Sequence, residues 1–191
     1  MSARPRRYRT KVAGFFMRAP TLVLALATVT TALVTGLFYG FSVAVNPALL
    51  RLPDAAYLAA MQAINDAILN PFFAISFFGA PVLLPLATAL YARRPFSQRF
   101  WLLASASLLY LSGGLGVTVA GNIPLNETLA TFPLATASAE QAKAARLHFE
   151  APWNAWHTVR TLASTASLVL VVAACLSPGA VTLPAPKKDQ L

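Results

Sequence analysis

Four long apolar runs constrain this chain more than any other feature: Ala19 to Val45, Phe72 to Tyr91, Phe100 to Gly121 and Trp153 to Leu176. Each reaches the about 20 residues that a helix needs to cross roughly 30 Å of hydrocarbon. With 57% of residues hydrophobic and 11% charged, the chain is too apolar for an ordinary soluble domain. The expected fold is all-α, a polytopic membrane protein with four transmembrane helices in an up-down bundle and short helices in the two non-cytoplasmic loops. Residues 1–18 are expected to form a basic cytoplasmic N-terminus, 19–177 the four-helix transmembrane domain, and the Pro-rich, basic stretch 178–191 a disordered cytoplasmic tail.

The formal net charge of +9 raises nucleic acid as a partner, but the basic residues flank the spans instead of forming a patch. Six precede the first span, three (Arg93, Arg94, Arg99) lie between the second and third, and two end the chain. The other side carries Arg51, Lys143 and Arg146 together with five of the six acids. That asymmetry predicts both termini in the cytoplasm and makes anionic lipid, not nucleic acid, the expected contact of the basic clusters; a plasma membrane is the expected location. The first run is too long for a signal-peptide core and is read as an uncleaved anchor. A single cysteine, Cys175, excludes an internal disulfide and a cysteine-rich metal centre.

Along the chain, Gly36 and Gly40 have the small-xxx-small spacing that admits a neighbouring helix, read as internal packing more readily than as an oligomer contact. Asn46-Pro47 closes the first span. From Leu52 to Asn70 the sequence predicts a short outer helix with Asp54 as its N-cap, an interfacial helix or a lid that turns Gln62 or Asn65 onto a cavity. Pro71, Pro81 and Pro85 require neighbours that satisfy freed carbonyls in the second span. Gly113, Gly114 and Gly116 predict close backbone approach in the third. Asn122 and Asn126 follow, with Pro124 between them interrupting the helical pattern. A second outer helix begins at Ser138, with Gln141 at the capping-box position.

The densest chemistry opens the last span. Trp153, Trp156, His157 and Arg160 stand at i, i+3, i+4 and i+7, which puts two indoles, an imidazole and a guanidinium on one helical face. Arg160 falls about one turn inside the apolar segment, where a charge costs roughly 2.5 to 3.5 kcal/mol unless it snorkels or finds a partner. With Asn46, Gln62, Asn65, Asn122 and Asn126 at the same interface, the expected product is an apolar pocket with amide hydrogen-bonders, one histidine and one permanent cation. It suits a small aromatic or lipid-like ligand carrying an oxygen. A mononuclear metal site from His148, Glu150 and His157 is an alternative.

Asn46-Pro47, the Asn122-Ile-Pro-Leu-Asn126 turn and Trp153-x-x-Trp156-His157-x-x-Arg160 together resemble the anthrone-oxygenase-like family of small four-helix membrane proteins, over about residues 20 to 177. The resemblance implies oxygenation of an anthrone to an anthraquinone by molecular oxygen with no cofactor and no metal. In that chemistry His157 would remove a proton alpha to a carbonyl and Arg160 would hold the oxyanion. Asn122 and Asn126 would orient the substrate, and Trp153 or Trp156 would stack on its ring. The rival class is a non-catalytic membrane module that binds a quinone or lipid or supports a partner protein. Nothing in the sequence sets the oligomeric state.

Overall fold

A computed structural model describes residues 19–93 and 96–177. The expected basic N-terminus and tail lie outside the described residues. The chain folds into α1 (Ala19–Leu49), α2 (Asp54–Ala67), α3 (Pro71–Leu90), α4 (Gln98–Ala130) and α5 (Ala139–Leu176), with no strand among the described residues. All but α2 are long and apolar enough to cross a membrane, so the protein is an integral membrane protein of the all-α class.

Three helices overrun the ends expected from hydropathy, and α5 does so most. The outer helix from Ser138 and the last span are one unbroken helix of 38 residues that passes through Pro152. Its start is fixed by the expected capping box: Ser138 Oγ accepts from the Gln141 amide N–H, and Gln141 Oε1 accepts from the Ser138 amide. Proline removes one backbone bond, which a long helix packed along its length tolerates. At 1.5 Å per residue α5 is about 57 Å long, so roughly half of it extends past a 30 Å hydrocarbon layer. Pro124 likewise sits inside α4 without ending it. Asp54 is the first residue of α2 and not its cap, a place taken by Pro53; its carboxylate turns to Arg146 instead.

The helices pack in a ring in which α1 touches α3 and α5, and α4 touches the same two. Contacts of Thr35 with Ser164, Ser42 with His157 and Asn46 with Asn154 run in opposite chain directions, so α1 and α5 are antiparallel. Helix α2 lies across the first half of α5 and the end of α4. One apolar cluster, built on Leu24, Val34, Leu84, Leu103, Tyr110 and Val171, fills the bundle. A second, built on Tyr57, Leu58, Met61, Leu129 and Phe149, holds α2 on its end. Buried polar side chains occupy the level between them: Thr35, Thr118, Asn122, His157, Arg160 and Thr161.

Two details show how the sequence meets the demands of lipid. Pro81 leaves the carbonyl of Phe77 without its helical donor, and the Tyr110 hydroxyl donates to that oxygen at 3.2 Å. Gly113 and Gly114 let α4 lie against α5: a Cβ on Gly113 would collide with Ala163, and one on Gly114 would come within 3.1 Å of Ser164 Oγ. Gly36 and Gly40 differ from expectation, because a Cβ on either would meet nothing within 4 Å. They point away from the bundle's own helices.

Candidate active site: an arginine on the wall of an apolar cavity

A cavity of about 1470 Å³ lies under α2, between α1, the start of α3 and the end of α4. Helices α3 and α4 meet through Phe77 with Tyr110 and Thr88 with Ser107. Beyond Tyr110, α4 continues through two π-helical turns, Tyr110–Gly116 and Thr118–Asn122, and there the space opens. Such turns are uncommon and concentrate at functional sites. With more residues per turn than an α-helix, they keep Tyr110, Gly114, Thr118 and Asn122 buried at intervals of four. Apolar walls come from Phe38, Phe41, Phe73, Phe77, Ile123 and Trp153.

Arg160 reaches this wall and is only 8% exposed. Its Nε and Nη2 donate to His157 Nδ1 at 3.1 and 3.0 Å, and Nη1 lies 3.4 Å from Thr118 Oγ1. The guanidinium carbon stands 4.3 Å over the Phe38 ring and 5.2 Å from that of Trp153. No carboxylate pairs with it among the described residues, where the ion pairs are Arg146 with Asp54 and with Glu150. Arg160 is therefore a buried cation with neutral neighbours. Snorkelling does not describe it.

His157, 1% exposed, is fixed on both sides. A guanidinium can only donate, so Nδ1 accepts; the Phe38 carbonyl, 3.2 Å from Nε2, can only accept, so Nε2 carries the proton. Ser42 Oγ lies 3.0 Å from the same nitrogen. The π-turn Phe41–Val45 in α1 holds Ser42 there. Trp153 stacks on the imidazole at 4.9 Å between centroids and 11° between planes, and its Nε1 donates to Asn126 Oδ1 at 2.7 Å.

The other sequence-selected residues divide. Gln62, Asn65 and Asn126 line the cavity with Trp153 and Arg160. Gln62 donates to the carbonyls of Leu129 and Phe132, tying α2 to α4, and the buried Asn65 Nδ2 has no protein partner. Asn122 is fully buried and donates to the Trp153 carbonyl, off the cavity wall, with its Oδ1 unpartnered. Asn46 donates to Asn154 instead of facing the cavity. Trp156 also lies outside it, 42% exposed and packed on Gly121. At 100° per residue Trp156 sits about 60° from Trp153 and about 40° from Arg160, at the edge of the shared face, and its indole packs against α4 at Gly121 instead of turning to the cavity. The metal alternative does not assemble. His148 and His157 are nine residues apart on a continuous helix, roughly 14 Å along the axis, Glu150 is paired with Arg146, and no three His, Cys, Asp or Glu converge among the described residues.

Sequence reasoning passed over Arg146. It donates to Glu150, Asp54 and the carbonyls of Leu50 and Leu52, with its guanidinium 4.4 Å over the Tyr57 ring. Burial, helped by Glu150, pushes the Tyr57 hydroxyl up to about 12, so this clamp of α2 onto α5 stays neutral at the phenol in ordinary buffers. The i, i+4 Arg146-Glu150 spacing was the available signal.

The family model described as anthrone oxygenase matches residues 72–170, from the start of α3 to near the end of α5. The chain belongs to the anthrone oxygenase family. Neither the curated proteins nor the solved structures hold a significant match to it. Within the anthrone oxygenase match fall Thr118, Asn122, Asn126, Trp153, His157 and Arg160. Phe38 of α1, and Gln62 and Asn65 of α2, come from outside it and line the same cavity, and Ser42 of α1, also outside it, contacts His157.

Proposed function

We propose that the protein is a membrane-bound, cofactor-free monooxygenase acting on an aromatic, enolisable, anthrone-like substrate. The observation that carries this reading is Arg160, a cation without a carboxylate on the wall of an apolar cavity wide enough for fused rings. A substrate that loses a C–H proton places the electron pair on its carbonyl oxygen, and Arg160 stabilises that charge. The carbanion carbon then reduces molecular oxygen and bonds to it. Loss of water from the resulting hydroperoxide leaves a new carbonyl, so one oxygen atom enters the ring system and the other leaves in water.

Trp153 gives the rings an apolar surface to lie against. Asn126 accepts from the Trp153 indole through Oδ1 and retains its amide N–H groups for a substrate oxygen. Asn65 offers an unpartnered donor and Gln62 anchors the covering helix. The resident partners in this reading are membrane lipids and a small aromatic ligand, with both termini in the cytoplasm and the cavity on the opposite side of a plasma membrane. Oxygen uptake by the purified protein in lipid nanodiscs with anthrone, compared with empty nanodiscs, tests it. Enzyme-dependent uptake with stoichiometric anthraquinone is expected; binding of anthrone without uptake would leave a binding module.

A further inference from the structure

We propose that the site takes its substrate already as the anion, an enolate or phenolate whose oxygen is the counter-ion Arg160 lacks, and that His157 positions the guanidinium instead of removing the proton. The inference rests on the proposed function for its ring chemistry and on geometry for everything else. His157 Nδ1 holds the only lone pair the ring could use, and two N–H groups of Arg160 converge on it at 3.0 and 3.1 Å. Taking a proton there would break both bonds and set an imidazolium against a guanidinium. The other nitrogen already carries its proton, directed at the Phe38 carbonyl.

The rest of the cavity supplies no better base. Its bordering titratable groups are Asp66 on α2, Glu127 and Tyr110 on α4, and His157 on α5; α1 and the start of α3 contribute none. Asp66 and Glu127 are exposed at the mouth, where water screens them, and Tyr110 donates to the Phe77 carbonyl. The proton therefore leaves the substrate for water or buffer before the oxygen reaches Arg160. Held by His157 Nδ1 and stacked over Phe38, the guanidinium keeps Nη1, whose contact to Thr118 is long at 3.4 Å, for that oxygen.

Calorimetric titration of the full chain in nanodiscs, without oxygen, tests this with two probe pairs. One is anthrone and 10,10-dimethylanthrone, which cannot form the enolate; the other is 2-naphthol and its methyl ether. The ionisable member of each pair should bind at least tenfold tighter above its own acid constant. Its apparent Kd should rise about tenfold for each pH unit below that constant, with the midpoint following the ligand. Arg160→Gln should bring the two members of a pair together. His157→Phe, which accepts nothing, should cost the anions at least tenfold and leave the ethers unchanged, while His157→Asn, which can accept from Arg160, should restore most of the loss and keep the ligand-dependent midpoint. Equal affinity within both pairs, or one midpoint shared by all ligands and abolished by His157→Asn, would overturn the inference. Naphtholate binding without anthrone binding would sink the proposed substrate and leave the anion site standing. Anthrone and its dimethyl analogue binding equally would do the reverse.

Discussion

Arg160→Gln separates a residue kept for chemistry from one kept for folding. The wild-type side chain is desolvated at a cost of several kcal/mol. Against this stand the rings of Phe38 and Trp153, together worth about 2 kcal/mol to a desolvated cation, and charged hydrogen bonds to His157 of about 1.5 to 3 kcal/mol. These opposing contributions nearly cancel. Glutamine keeps an amide donor within reach of His157 Nδ1, so that nitrogen need not be orphaned, and it removes the uncompensated charge. The unfolding free energy in detergent should therefore change by no more than about 1 kcal/mol, or about 2 to 4 °C in Tm for a domain of this size. Oxygen uptake should fall at least about tenfold, corresponding to roughly 1.4 kcal/mol of lost oxyanion stabilisation. Arg160→Lys should fall similarly, because an ammonium cannot offer a planar fork to His157 and the substrate together. Loss of more than about 10 °C in Arg160→Gln, with Arg160→Lys fully stable and active, would make Arg160 a structural cation and refute the reasoning.

Tyr110→Phe should cost about 1 to 3 kcal/mol by leaving the Phe77 carbonyl without a donor; Pro81→Ala, which returns a backbone N–H to that oxygen, should recover part of the loss in a double-mutant melt. Gly121→Ala places a Cβ 2.5 Å from the Trp156 indole and should lower stability by about 1 to 3 kcal/mol, relieved when Trp156 is also shortened to Leu. Reporter fusions at residues 95 and 135 should give opposite signals; the same side for both would break the proposed topology.

The four spans were legible because lipid imposes one length and one composition on any helix that crosses it. Their ends were not, since Pro124 reads as a break and the helix from Ser138 as separate from the span opening at Trp153, while α4 and α5 run through Pro124 and Pro152 unbroken. Heptad spacing brought Trp153, His157 and Arg160 together correctly and misplaced Trp156, whose orientation follows from a gap at Gly121 on another helix. The roles of Asn46 and Asn122 depended on partners more than thirty positions away, Asn154 and the Trp153 carbonyl. No local pattern encodes such a bond. Residue type alone suggests His157 as a base; that its Nδ1 accepts from Arg160 is visible only when the two side chains are placed beside each other.

Phe78 and Ile123 line the cavity and are also 58% and 38% exposed on two of the helices long and apolar enough to cross a membrane, so the cavity's side reaches the apolar outer surface of the bundle, the surface that lipid would cover in the proposed topology. For a poorly soluble ring ketone, the concentration that governs occupancy is then its mole fraction in the surrounding lipid, not its molarity in the tube. Diluting a fixed amount of substrate with extra lipid should slow turnover even though nothing in the aqueous phase has changed, and a KM quoted per litre should scale with the amount of lipid or detergent present. In the proposed reaction, acid constants and oxygen solubility at the bilayer surface, rather than in bulk buffer, would then set the pace.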